Sequence, residues 1–172
     1  MILWILLAAA VILVLWLIGT FNSLVSLKNE TLNGWKQIDV QLKRRHDLIP
    51  NLIETVKGVM NFEQKTLTAV IEARNKAISA QSVPEKAGAE NMLTGALRQL
   101  FALVENYPTL KSNENASKLQ EELVSTENRI GFARQFYNDI ATKFNIAQET
   151  FPSNIVAGMF GFSKQELFTI TD

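Results

Sequence analysis

From Ile2 to Ile18 seventeen apolar residues follow one another without interruption, and the first charged side chain is Lys28. At 1.5 Å per residue the stretch up to Phe21 makes a helix of about 30 Å, the thickness of a bilayer's hydrocarbon core. The pattern therefore predicts a membrane span over residues 1–21. A basic n-region is missing, and Leu17-Ile18-Gly19-Thr20-Phe21 is a poor small-x-small cleavage site. Both features favour a retained anchor over a cleaved signal peptide or a buried core helix.

Beyond the span the periodicity becomes helical and amphipathic. Leu24, Leu27, Thr31, Trp35, Ile38 and Leu42 recur at steps of three and four, which predicts a helix continuing out of the membrane. The same seam reaches Arg45 and Ile49, turning an arginine toward the bundle where an aliphatic residue is expected; the plain reading is an arginine at its helix end, snorkelling to water. Around Arg45 to Pro50 the helix is expected to break, because proline lacks a donor and clashes with the preceding turn. Asp47 would then cap a second helix carrying Leu52, Val56, Val59, Leu67, Val70 and Ile78 inward, with a register shift between Gly58 and Phe62 and an end near Ala80. Ser82-Val83-Pro84-Glu85 has the form of a capping box and predicts the start of a third helix, with a seam of Leu93, Leu97, Leu100, Val104 and Tyr107. Pro108 ends it, and residues 108–113 reverse the chain.

The fourth helix has the most regular pattern. Leu119, Leu123, Thr126, Ile130, Ala133, Tyr137, Ile140, Phe144, Ala147 and Phe151 alternate steps of four and three, as in left-handed, coiled-coil-like packing. Phe132 and Phe136 widen the stripe as if for a second neighbour, and Pro152 closes it. The apolar tail over 153–172 is expected to fold back over the bundle's open end. Membrane contact is the second reading, disfavoured because Lys164 is its one basic residue.

These elements give an all-α chain: an N-terminal transmembrane helix (1–21), an elongated antiparallel bundle of about four long helices (22–152), and a short apolar C-terminal tail packed on the bundle (153–172). All seventeen Lys and Arg and all seventeen Asp and Glu lie from Lys28 onward, so the water-facing part is neutral. That balance argues against nucleic acid as a partner, which needs surplus basic surface. The absence of cysteine removes thiol chemistry and thiolate metal sites. Lys28, Lys36, Lys43, Arg44 and Arg45 outnumber Glu30 and Asp39 just after the span, so the positive-inside tendency expects the N-terminus outside and the bundle in the cytoplasm.

At the turn after the first seam the residues become recognisable. The string from Trp35 to Leu52 (WKQIDVQLKRRHDLIPNL) with Glu54-Thr55-Val56-Lys57-Gly58 is similar to the signature of the LemA family. Glu72-Ala73-Arg74, Glu105-Asn106-Tyr107-Pro108, Thr126-Glu127-Asn128-Arg129-Ile130, Ala133-Arg134, Tyr137-Asn138, Phe151-Pro152 and Gly161-Phe162 extend the likeness over nearly the whole chain. The resemblance implies a prokaryotic membrane protein with one N-terminal span and long antiparallel helices, and it implies no enzymatic activity that can be transferred residue by residue. Phe21 and Phe144 stand where many relatives have Tyr.

The sharpest enzymatic reading for such a bundle is a di-metal site, which needs Glu-x-x-His on two helices. His46 is the single histidine, and Lys43 stands three residues before it. No metal, cofactor or catalytic residue is therefore expected. What remains is a polar constellation: Arg44, Arg45, His46, Asp47, Asn51 and Glu54 on one side, Glu127, Asn128, Arg129, Arg134 and Asn138 on the fourth helix. A buried charge must be paired, so Arg45 is expected to seek Glu127 or Glu54, in a register-setting network rather than a ligand site. The functional expectation is a membrane-anchored helical scaffold whose partners are the bilayer, through residues 1–21, and another protein, with self-association left open. Its alternatives are a lipid-contacting or membrane-shaping protein and an accessory factor of a membrane proteolysis or stress system.

Overall fold

The computed structural model describes residues 1–59 and 63–169, and among these every regular element is helical. In order they are α1 (Ile2–Lys57), α2 (Gln64–Ser79), α3 (Val83–Val104), α4 (Pro108–Lys111), α5 (Glu114–Glu149) and α6 (Ser153–Met159). The chain is all-α with bundle-like packing. It forms two compact units, one from Met1–Trp35 with Phe136–Leu167, the other from Lys36–Gln135 with Phe168 and Thr169.

The second unit holds the larger apolar core. Ile49, Leu52 and Val56 of α1 pack with Leu67 and Val70 of α2, Leu93, Leu97, Leu100 and Val104 of α3, and Leu123 of α5. Residues 108–113 do more than reverse the chain, because α4 forms there and seals the cluster with the buried Leu110. Val59 and Ile78, expected inward, are exposed. α1 ends at Lys57, so Val59 lies past its last turn, and Ile78 sits one position beyond the buried Ala77 on α2. The expected register shift before Phe62 falls on residues 60–62, outside the described residues.

The junction into α3 is fixed locally. Ser82 Oγ accepts from the Glu85 amide, and the Glu85 carboxylate accepts from the Ser82 and Gln81 amides. Those donors are orphans of a helix start, so both partners gain. The backbone amides of Ser82 and Gln81 and the Ser82 hydroxyl hold the Glu85 carboxyl below its ordinary value. A depressed folded-state pKa contributes stability present above the unfolded value and lost as pH falls through the folded one. Acidification below the ordinary carboxylate range should therefore fray the first turn of α3, read as faster amide exchange at Glu85 and Lys86. Glu85→Gln should flatten that pH dependence; an unchanged acid profile in the variant would remove the capping carboxylate from the explanation.

In the first unit, Leu24 of α1, Phe144 of α5 and Val156 and Ala157 of α6 form a buried cluster, with Phe21, Leu27, Ala147 and Phe162 around it. Gly34 brings α1 onto α5: a Cβ there would lie 3.3 Å from the Tyr137 Cα, and the Trp35 and Tyr137 rings sit 5.4 Å apart. The tail is pinned along α5. Tyr137 Oη donates to the Glu166 carbonyl (2.7 Å), Asn145 Nδ2 donates to the Gln165 carbonyl (2.8 Å), and the Gln165 amide donates to Asn145 Oδ1 (2.8 Å). Thr31, a polar residue on the seam, is buried at little cost because its hydroxyl bonds the Leu27 carbonyl one turn back. Phe151 is exposed rather than in the seam, and Phe136, like Phe132 in the second unit, is exposed rather than widening a buried stripe. α5 ends at Glu149, so Phe151 lies past its last turn.

Candidate functional site: a buried charge network across three helices

α1 does not break at Pro50; it runs through it, and Asp47 lies inside the helix rather than capping a new one. An interior proline normally leaves the carbonyl four residues back without its donor. Here that carbonyl is His46's, and Arg74 Nε of α2 donates to it at 2.8 Å. A side chain twenty-eight residues away replaces the missing backbone N–H. Arg74→Met should cost about 1 to 3 kcal/mol, the penalty of an unsatisfied buried acceptor. With Pro50→Ala also present the helix supplies its own N–H, so the same substitution should cost clearly less. Equal losses in the two backgrounds, measured by denaturant titration, would show that Arg74 acts elsewhere.

Continuity of α1 keeps Arg45 on the apolar seam, one turn after Leu42 and one before Ile49. Its side chain is 3% exposed, far from a snorkelling position. Arg45 Nη1 lies 3.2 Å from Glu90 Oε2 on α3 and 2.9 Å from Glu127 Oε2 on α5. The second contact is close but not aligned as a hydrogen bond, so it acts through charge. Arg45 Nη2 donates to Thr94 Oγ1 at 2.8 Å, and that hydroxyl reaches Glu127 Oε1 at 3.4 Å. His46 Nε2 stands 2.6 Å from Glu90 Oε1. One guanidinium and one imidazole thus face two carboxylates, tying α1, α3 and α5 together.

Only part of the expected constellation meets here. Arg45, His46 and Glu127 converge. Arg44 is half-exposed and reaches Glu122 at 3.6 Å, outside the buried cluster. Asp47 is exposed, and its bond from Lys43 (2.8 Å) holds its carboxyl below the usual range. Asn51 and Glu54 lie on the exposed side of α1, so Glu54 is not Arg45's partner. Asn128 and Arg129 are exposed on α5, Arg134 is half-buried further along it, and Asn138 belongs to the first unit.

Three participants, Glu90, Thr94 and Arg74, lie outside the constellation that the sequence pattern singles out. A signal for Glu90 exists: the α3 seam of Leu93, Leu97 and Leu100 extended three residues back lands on it. A carboxylate on one apolar seam and a guanidinium on another are each other's natural partners.

A cleft of about 370 Å³ opens beside His46, lined by Asp39, Lys43, Asp47, Arg74 and Lys86 among others. Its charged groups are engaged: Lys43 with Asp47, Lys86 with Asp39 (2.8 Å), and Arg74 as donor to the neutral His46 carbonyl. Among the described residues no group of three or more His, Asp or Glu could hold a metal ion. The arrangement is suited to fixing the register of three helices.

The sequence model described as "LemA family" matches residues 34–172 of this chain. "Protein LemA" of Metamycoplasma hominis is 31% identical over 144 residues, covering 81% of this chain and 64% of that protein. "Magnetosome protein MamQ 2" of Paramagnetospirillum magneticum is 25% identical over 178 residues, covering 88% of this chain and 65% of the relative. "Magnetosome protein MamQ" of Magnetospirillum gryphiswaldense is 24% identical with the same coverage. The chain therefore spans a little under two thirds of the length of these curated relatives. With these relatives, and with an N-terminal helix whose apolar window is wholly unburied and long enough to cross a membrane, this is a membrane-associated helical protein.

Proposed function

This chain belongs to the LemA family, and from that premise we propose that it is a membrane-anchored interaction protein with no reaction of its own. The observation that carries the proposal is the continuity of α1 from Ile2 to Lys57. Residues 2–16 offer apolar side chains to the surroundings, and the same helix then carries the buried Leu24, Ile38, Leu42, Arg45 and Ile49. An apolar helix of that length satisfies its own backbone in lipid and is stable there. The folded part cannot leave the bilayer without pulling out the helix on which it is built.

The non-enzymatic reading rests on the chemistry of the network. Its charges are paired within the network, Arg45 with Glu90 and Glu127 and His46 with Glu90, and no thiol exists. The relatives MamQ and MamQ 2 are named for the magnetosome and not for a reaction, which suits a protein that acts by binding. Lys28, Lys36, Lys43 and Arg44 just beyond the span favour a cytoplasmic position for the helical part.

Alkaline washing should leave the full chain in the membrane pellet, and detergent should release it. Crosslinking in native membranes should retain a protein that an α1 fragment of residues 1–35 does not. Recovery of intact chain in the soluble fraction, or identical crosslinks for both, would defeat the reading. Because the chain has no cysteine, Glu121→Cys gives a background-free test of side. A membrane-impermeant maleimide should label it only after the cells are broken.

A further inference from the structure

We propose that the exposed face of α6 is a second membrane contact, seated in the headgroup layer of the bilayer that α1 crosses; this rests on the anchor reading above. The apolar run from Ile2 to Phe21 makes a helix of about 30 Å, so with its start at one hydrocarbon boundary Phe21 stands at the other. Phe21 is where α6 docks. Its ring lies 4.6 Å from that of Phe160 and 5.9 Å from that of Phe162. Each headgroup layer is roughly 5 to 8 Å thick, so a residue touching Phe21 lies within it.

The short helix has two faces. Val156 and Ala157 are buried against Leu24 and Phe144. Ile155, Met159 and Phe160, with Phe151 just before the helix, are exposed, Met159 at 67%. From Thr150 to Ser163 no residue is charged. The flanking charges, Glu149 and Lys164, pair with each other at the base of this segment. Lys28, the first charge after the span, stands with its ammonium 5.9 Å from the Phe162 ring centre, within cation–π range, and a lysine close after a span reaches toward the headgroups. An apolar, uncharged face at the depth of the lipid boundary and continuous with the lipid-facing surface of α1 is covered by lipid. The lack of basic residues in the tail, which counts against independent membrane binding, is no obstacle here, because α1 already delivers α6 to the surface.

The test uses the full chain reconstituted in vesicles of phosphatidylcholine and phosphatidylglycerol. Single cysteines at Met159→Cys, Val11→Cys and Phe132→Cys each carry an environment-sensitive fluorophore. The Met159 probe should be blue-shifted, lose most of its emission to lipids bearing a nitroxide near the headgroup, and be several-fold less quenched by aqueous iodide than the Phe132 probe. Iodide quenching equal to that at Phe132 overturns the inference, and so does protection from iodide without nitroxide quenching, which means a second protein copy covers the face. The Val11 probe reports the anchor alone. Quenching there by nitroxides deep in the acyl chain, with none at Met159, defeats the α6 contact and leaves the anchor standing; no quenching at Val11 defeats the anchor itself.

Discussion

Arg45→Ala should lower the stability of the folded chain by about 3 to 5 kcal/mol, the loss that follows when one partner of a buried ion pair is removed. The guanidinium sits between Glu90 and Glu127, and Glu90 is itself only 3% exposed. Without Arg45 the Glu90 carboxylate has His46 alone to answer it and cannot recover its lost hydration, whereas Glu127, 39% exposed, can turn toward water. Typical domains are stable by about 5 to 15 kcal/mol, so the variant should be partly unfolded at moderate denaturant. The charge argument has a sharper form than the single variant. Removing both ends, as Arg45→Met with Glu90→Leu, takes away the uncompensated charge and should cost much less than the sum of the two single changes. Denaturant melts of the four proteins of that cycle decide it. Simple additivity would mean that Arg45 contributes through packing alone. Arg45→Lys should fall between, since a single ammonium cannot hold Glu90 and Thr94 through two separate nitrogens as the guanidinium does.

Phe144→Ala should be comparably costly in the first unit, about 3 to 5 kcal/mol by the usual loss of a fully buried aromatic side chain. Phe144 has no exposed surface and lies among Leu24, Val156 and Ala157, with the Phe162 ring edge-on at 6.1 Å. Truncation removes the surface on which α6 rests. The change should be visible as faster amide exchange in Ser153–Met159 and at the Gln165 amide, the latter held by Asn145 of the same helix. If exchange rises only around residue 144 and α6 stays protected, α6 is held by Phe21 and its neighbours without help from α5. In that case the core assignment of Phe144 must be revised.

Several features needed nothing beyond the linear pattern. The apolar run of α1, the capping box at Ser82 and the alternating seam of α5 are set by residues within one or two turns of each other, where the helix period alone decides which positions share a face. Arg45 was conspicuous for the same reason, as a charge on an apolar seam.

The rest depended on residues far apart in the chain. Pro50 reads locally as a helix end, and only Arg74 arriving from α2 to bond the His46 carbonyl lets α1 continue. Arg45's main partner, Glu90, is forty-five residues away, and nothing in either segment specifies that α3 passes at that height. Gly34 looks like a weak point in a helix, yet it is the place where α5 comes within contact of the α1 backbone. The apolar tail reads from the sequence either as packed over the bundle's open end or as touching the membrane, whereas the folded chain buries Val156 and leaves Met159 bare one turn away. Periodicity determines helices and their faces because those are local properties of an L-polypeptide. Which faces meet, and which charges and carbonyls are thereby satisfied, is decided only when separate helices compete for the same buried space.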